Sequence, residues 1–155
     1  MDCMVDDRRF MDLALAQAAA AAEIGEVPVG AVVVYDGKVI SQAHNRRELD
    51  ADPTAHAELI AMRDAAKEIG DWRLEECTVY VTLEPCAMCA GLMVNARVKR
   101  CVYAAADPRG GFLGTLGDLS SHPVLNHRFE VTAGIRSEEA AETLRAFFRK
   151  VRKKK

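Results

Sequence analysis

Thr78-Val79-Tyr80-Val81-Thr82-Leu83-Glu84-Pro85-Cys86-Ala87-Met88-Cys89 runs from a β-branched apolar segment, through a proline, into an apolar-periodic one. Thr78 to Thr82 has strand composition. Pro85 suits the first position of a helix, and the helix it opens turns Met93 and Val94 inward before ending near Asn95. Arg100 to Ala104 follows as another strand. The segment upstream has the same order: a strand, then a helix through Leu59, Met62, Ala66 and Ile69 to Gly70, with those four residues as its buried stripe. Repeated strand-helix-strand order predicts a parallel crossover arrangement with helices covering the sheet. In such sheets, sites form where strand ends meet helix beginnings.

Asp7 to about Ile24 places Phe10, Leu13, Ala14, Gln17, Ala18 and Ala21 at helical spacing, with Gly25 as the stop, so an alanine-rich face is expected to pack closely on the sheet. Val29 to Tyr35 is a continuous apolar run, expected as a strand buried on both faces. Asp36-Gly37 then makes a hairpin turn into Lys38 to Ala43, an expected edge strand. Ala105 to Gly111 is a loop by composition, Gly114 to Asn126 has little periodicity, and Glu130 to Ala133 is a last short strand. Ser137 with Glu138 and Glu139 opens a final helix, with Ala140, Leu144, Phe147, Phe148 and Val151 on one face.

The chemistry is concentrated at two helix starts. On a helix Cys86 and Cys89 lie about 60° apart, which suits two thiolates on one metal. His56 and Glu58 would point to roughly opposite sides of a regular helix. Both can face one site only if His56 sits at the irregular helix entrance, which Asp52-Pro53-Thr54 places just upstream. Two soft thiolates with one imidazole point to Zn²⁺. Three protein ligands leave a tetrahedral zinc one position for water, whose pKa falls to about 7, and Glu58 is then free to move protons. A closed zinc knot completed by Cys101 or Cys77 is the alternative, as is a buried redox pair, although Cys101 lies in an alternating apolar run where a cysteine behaves as a small core hydrophobe.

The 155 residues fit one domain, 1–155, of ordinary globular composition, half hydrophobic and 28% charged. No apolar stretch is long enough to span a membrane. Once two of the five cysteines are assigned to metal an odd number remains, which favours reduced thiols and a cytoplasmic setting. A net charge of −2 does not mark a nucleic-acid binder, yet Arg145 to Lys155 holds seven cations and no acid. Such a run is either a solvated helix end or an RNA contact.

His56-Ala57-Glu58 followed by Pro85-Cys86-Ala87-Met88-Cys89 resembles the signature of the zinc nucleoside and nucleobase deaminases. Over nearly its whole length the chain resembles the bacterial tRNA-specific adenosine deaminase family. The stretches that carry this are Val27-Pro28-Val29-Gly30-Ala31, Asp52 to Glu58, Thr82 to Cys89, His122-Pro123 with Asn126-His127-Arg128, and Phe147-Phe148-Arg149. The last two separate it from cytidine, deoxycytidylate and guanine deaminases.

The resemblance implies a three-layer α/β/α sandwich with a central five-stranded mixed sheet, of the cytidine deaminase-like class. It implies a homodimer with one Zn²⁺ per subunit on His56, Cys86 and Cys89. It also implies conversion of adenosine to inosine at wobble position 34 in the anticodon stem-loop of a transfer RNA, usually an arginine-accepting one. Glu58 would be the catalytic acid and base. Asn45 would orient the nucleoside, Val29 and Leu83 would wall the pocket, and Asp107 would accept from a sugar hydroxyl. Phe147, Phe148 and Arg149 would meet flanking nucleotides. On residue type alone Asn45 and Asp107 could equally be turn residues, and the two phenylalanines could equally be core. A deaminase of free guanine or cytidine and a silent RNA-binding module with structural zinc are the rival functions.

Overall fold

The computed structural model describes residues 3–153, with side-chain surroundings from residue 6 onward. In chain order the elements are α1 (Cys3–Glu23), β1 (Gly30–Tyr35), β2 (Lys38–His44), α2 (Ala57–Ile69), β3 (Cys77–Leu83), α3 (Ala87–Asn95), β4 (Arg100–Ala105), β5 (Glu130–Ala133) and α4 (Ser137–Lys153). The strands form one mixed sheet in the order β2-β1-β3-β4-β5. β1 runs antiparallel to both β2 and β3, whereas β3, β4 and β5 are parallel. β2 is the edge expected from its partly polar face.

Alternation along the strands splits the core in two. Ala31 and Val33 of β1, with Val79 and Val81 of β3, face Ala57, Ala61 and Met62 of α2 and Met93 of α3. Val32, Val34, Tyr80 and Val102 point the other way, against Phe10, Met11 and Ala14 of α1 and Ala140 of α4. A strand covered on both faces must be apolar throughout, which explains the unbroken run in β1.

The turn between β1 and β2 has Asp36 at φ 52° and Gly37 at φ 75°, the paired left-handed conformation that matches strand twist in a two-residue hairpin. Gly30 lets α1 rest directly on β1, since a Cβ there would stand 2.0 Å from the Ala14 carbonyl oxygen. On the same side, Asp7 is buried and accepts from Arg100 Nη1 and Nη2 (2.9 and 2.7 Å) and from the Tyr80 hydroxyl (2.7 Å), tying α1 to β3 and β4.

Two local expectations are corrected. The buried face of α2 is Ala57, Glu58, Ala61, Met62 and Ala65, and Ile69 is exposed. Of the four residues expected there only Met62 is fully buried, because close packing on the sheet selects small side chains over large apolar ones. Pro85 is not the first residue of α3. The helix begins at Ala87 with Cys86 as its extended cap, so Pro85 stands outside it.

Candidate metal centre and its pocket

α2 and α3 both begin where strands end, and both caps carry chemistry. His56 caps α2 with extended backbone (φ −79°, ψ 147°), which turns its ring away from the helical repeat and allows His56 and Glu58 to face one place. Asp52 accepts from the Thr54 N–H and hydroxyl (2.8 and 2.7 Å) and so shapes the turn rather than the cap. The free N–H of Ala57 is met from outside the helix, by Asn45 Oδ1 at 2.9 Å. Cys86 caps α3 in the same extended form (φ −75°, ψ 177°), with Cys89 in the first turn beyond it.

These caps bring three ligand atoms together. His56 Nδ1 lies 3.7 Å from Cys86 Sγ and 3.7 Å from Cys89 Sγ, and all three ligand atoms fall within 4.8 Å of one another. Among the described residues this is the one His/Cys/Asp/Glu group arranged to hold a metal ion. Cys77 and Cys101 are buried in β3 and β4 and are not part of it. Burial pushes the Cys77 thiol up to about 11 and Cys101 well above its ordinary value, so both are inert core thiols.

The three ligand groups shift one another's proton affinities. Hydrogen bonding from Cys89, helped by His56 and opposed by burial, draws Cys86 down to about 3. The same bond, with burial and the nearby Glu58 carboxyl, pushes Cys89 upward. His56 is raised by its bond to Cys86, against burial. His56 and Cys86 already lie in hydrogen-bond contact, and the groups that hold a cation there would release their protons to it. Glu58 is 3% exposed, and burial raises its carboxyl from 4.5 to about 7.

Above this group is a cavity of about 160 Å³, lined by His56, Glu58 and Cys86 with Asn45, Val29, Leu83 and Asp107. Every residue assigned from sequence to substrate contact in the pocket is on its wall, and Cys89 is buried behind. Asp107 also closes its own turn, accepting from the N–H groups of Arg109 and Gly110 (3.0 and 3.2 Å).

The C-terminal trio is placed differently. Phe147 lines an adjoining groove with Val151, and Asn45 and Arg47 belong to both the groove and the cavity. Phe148 is 43% exposed, edge-on to Phe147 at 5.4 Å between ring centroids, and so is not core. Arg149 donates to Glu142 (2.8 Å). Lys154 and Lys155 of the basic tail lie outside the described residues.

Three wall residues escaped the sequence reading: Val27, Arg47 and Glu84. Val27 heads one of the stretches that carry the family resemblance, and Glu84 is an acid wedged between a buried strand and a helix start, whereas Arg47 gave no signal. A roomier groove of about 810 Å³ between α1 and α4 has no comparable set of ligands, so size alone does not locate the site.

Comparison with known proteins agrees with this geometry. Residues 5–152 match the family model of the MafB19-like deaminases. The chain is 49% identical over 152 residues to the tRNA-specific adenosine deaminase of Bacillus subtilis, covering 98% of this chain and 94% of that one. It is 44% identical to the tRNA-specific adenosine deaminase of Haemophilus influenzae, covering 96% and 87% respectively. A solved structure from work on A-to-I editing by tRNA:A34 deaminases at the wobble position superposes with a TM-score of 0.85 at 44% identity, covering 88% of this chain and 99% of that one. The five-stranded mixed sheet and its four helices are those of the cytidine deaminase-like fold.

Proposed function

The chain belongs to the tRNA-specific adenosine deaminase family, and from that premise we propose that it hydrolyses adenosine to inosine at wobble position 34 of a transfer RNA, an arginine-accepting one. The observation that carries the reading is Glu58, a buried carboxyl on the wall of a small cavity whose floor is an imidazole and a thiol, with a second thiol buried behind them.

The floor suits Zn²⁺. Tetrahedral zinc with ordinary bond lengths puts an imidazole nitrogen and a thiolate sulfur about 3.6 Å apart, against the 3.7 Å found for each pair. On this reading His56, Cys86 and Cys89 hold the ion, which supplies the Lewis acidity that makes water nucleophilic at neutral pH. Glu58 takes a proton from the water attacking C6 of the purine and passes it to the ring nitrogen. It then carries the second proton from the new C6 hydroxyl to the amine, which leaves as ammonia when the C–N bond breaks. Asn45 keeps its amide nitrogen for the nucleoside, its oxygen being engaged by Ala57. Val29 and Leu83 flank the base and Asp107 meets the sugar at the mouth.

At about 30 Å³ per water the cavity has room for about five waters, roughly the space of one base. The rest of the nucleotide must stay outside, so the base has to enter singly, splayed from its neighbours. On this reading Phe147, Phe148 and Arg149 meet flanking nucleotides, and what supports it is that Phe147 lines the groove that adjoins the cavity. The whole of 1–155 acts as one deaminase domain in the cytoplasm. The proposed homodimer is supported by an apolar groove between α2 and α3 that includes Leu59, Met88, Leu92 and Leu125. No helix among the described residues is long and apolar enough to cross a membrane.

The test is inosine and ammonia release from an anticodon stem-loop with adenosine at the wobble position, compared with free adenosine, cytidine and guanine. Turnover on the stem-loop alone is expected. Efficient turnover of any free substrate, or RNA binding with no ammonia, overturns the proposal.

A further inference from the structure

Glu84 is 2% exposed and accepts four hydrogen bonds from a single loop. Its Oε1 accepts from the Asp107 N–H (3.1 Å) and from the Thr115 hydroxyl. Its Oε2 accepts from the N–H groups of Leu113 (3.0 Å) and Thr115 (3.1 Å). An ionised carboxylate has about four lone-pair sites and no donor, so its capacity is filled and nothing is left over for a substrate.

The surrounding backbone repeats the attachment. The Glu84 N–H donates to the Ala105 carbonyl (2.8 Å) and the Phe112 N–H donates to the Pro85 carbonyl (2.9 Å). Gly111 completes the fit, because a Cβ there would stand 2.3 Å from Glu84 Cδ. The loop is thus wrapped over the carboxylate without spare room. A glutamine in its place would set its N–H donors against backbone N–H groups in either orientation of its amide. In one orientation they oppose those of Leu113 and Thr115, and in the other that of Asp107, where only the Thr115 hydroxyl could turn to accept.

One end of this connection is the segment that delivers Cys86, and the other is the loop that puts Asp107 on the cavity wall. We infer that Glu84 is a positioning residue: its carboxylate holds the 107–115 loop against the reaction site, and through that loop sets the place of Asp107 beside the substrate. The identity of that substrate rests on the function proposed above, whereas the attachment itself does not.

The experiment uses the full zinc-loaded chain and the variants Glu84→Gln, Asp107→Ala and their combination, with Thr115→Val as a milder cut should Glu84→Gln fail to fold. Hydrogen exchange reads the attachment without any reaction. In Glu84→Gln the amides of Asp107, Leu113 and Thr115 should exchange faster by about tenfold or more, while those in the middle of α2 do not change. Kinetics on the stem-loop read the consequence. KM should rise by about tenfold with kcat nearly kept, the mark of lost uniform binding. The same substitution should cost little more once Asp107 is already Ala, because both act through one contact.

Unchanged exchange overturns the inference. Faster exchange with unaltered KM also overturns it, as does a loss that multiplies in full with that of Asp107→Ala. If the wild-type chain makes no inosine from the stem-loop while exchange responds as stated, the proposed function has failed and the attachment stands.

Discussion

Replacing Glu58 with Gln is expected to cut turnover by orders of magnitude and, in the same molecule, to strengthen the metal-free fold. Burial raises this carboxyl from 4.5 to about 7. At about 1.36 kcal/mol per unit, keeping it ionised in the fold costs on the order of 3 kcal/mol. The folded state holds the proton to higher pH than the unfolded state does, so the cost is absent below the unfolded value of 4.5. It grows as pH rises through that value and is complete above about 7. Gln has nearly the same volume and no charge to bury. The metal-free variant should therefore exceed metal-free wild type by up to about 3 kcal/mol near pH 8, and by little near pH 4.5. Removing the proton carrier should meanwhile cost about 10²- to 10⁴-fold in turnover. Urea denaturation of chelator-treated, reduced protein at several pH values gives the first quantity, and single-turnover inosine formation by zinc-loaded protein gives the second. A metal-free variant less stable than wild type near pH 8, or turnover within about tenfold of wild type, refutes the reasoning.

Cys86→Ala should lose bound metal and thermal stability together, read by metal analysis and melting of the same sample, and stoichiometric metal in the variant would contradict the assigned ligands. Arg100→Met should cost about 3–5 kcal/mol in urea denaturation, because it leaves Asp7 buried with the Tyr80 hydroxyl in place of an ion pair. Burial opposes the Asp7 charge, but the bonds from Arg100 and Tyr80 outweigh it and hold the carboxyl below its ordinary value. That contribution is complete above 3.8 and lost as pH falls through the lower folded value, so the midpoint of acid unfolding should move up in Arg100→Met. Gly30→Ala should cost about 1–3 kcal/mol or more, since its Cβ requires α1 to retreat from β1, and a melting temperature equal to wild type would show that the two backbones are not in close contact.

How much of this was legible in the sequence depends on how far apart the partners lie along the chain. The metal trio could be read from spacing. The extended cap at His56 could even be deduced, because residues two apart on a helix cannot share a site unless one of them is off the helix. The parallel pairing of β3 with β4 followed from alternating element types and the hairpin from Asp36-Gly37, whereas the five-stranded mixed sheet was implied by the family resemblance and not by the alternation. The bond from Asn45 to the first turn of α2 was not legible. It requires two segments that meet only in the folded chain, although the residue type allowed it. Glu84 is the extreme case, because its donors arrive 23 to 31 positions later from a loop with almost no periodicity. The misread face of α2 has a different cause. Apolar size was taken as the measure of burial, whereas a helix lying close on a sheet buries Ala57, Ala61 and Ala65 and leaves Ile69 in solvent.

A net charge of −2 leaves little long-range attraction for a polyanion, so the proposed RNA affinity has to come from where the cations are placed. Arg145 and Arg149 are both tied to Glu142, and Arg46 to Asp50. Among the described residues, the cations near the site that carry no ion pair are Arg47 at the cavity, Arg109 in the loop that carries Asp107, and Lys150, Arg152 and Lys153 at the end of α4. Arg149 can exchange its exposed pairing with Glu142 for a phosphate. Phe147 lies between Arg47 and the end of α4, in the groove that shares Asn45 and Arg47 with the cavity. The arrangement suits a strand entering along α4 with one base turned down toward Glu58. The phosphates then supply affinity while the cavity, with room for one base, decides which atom reacts.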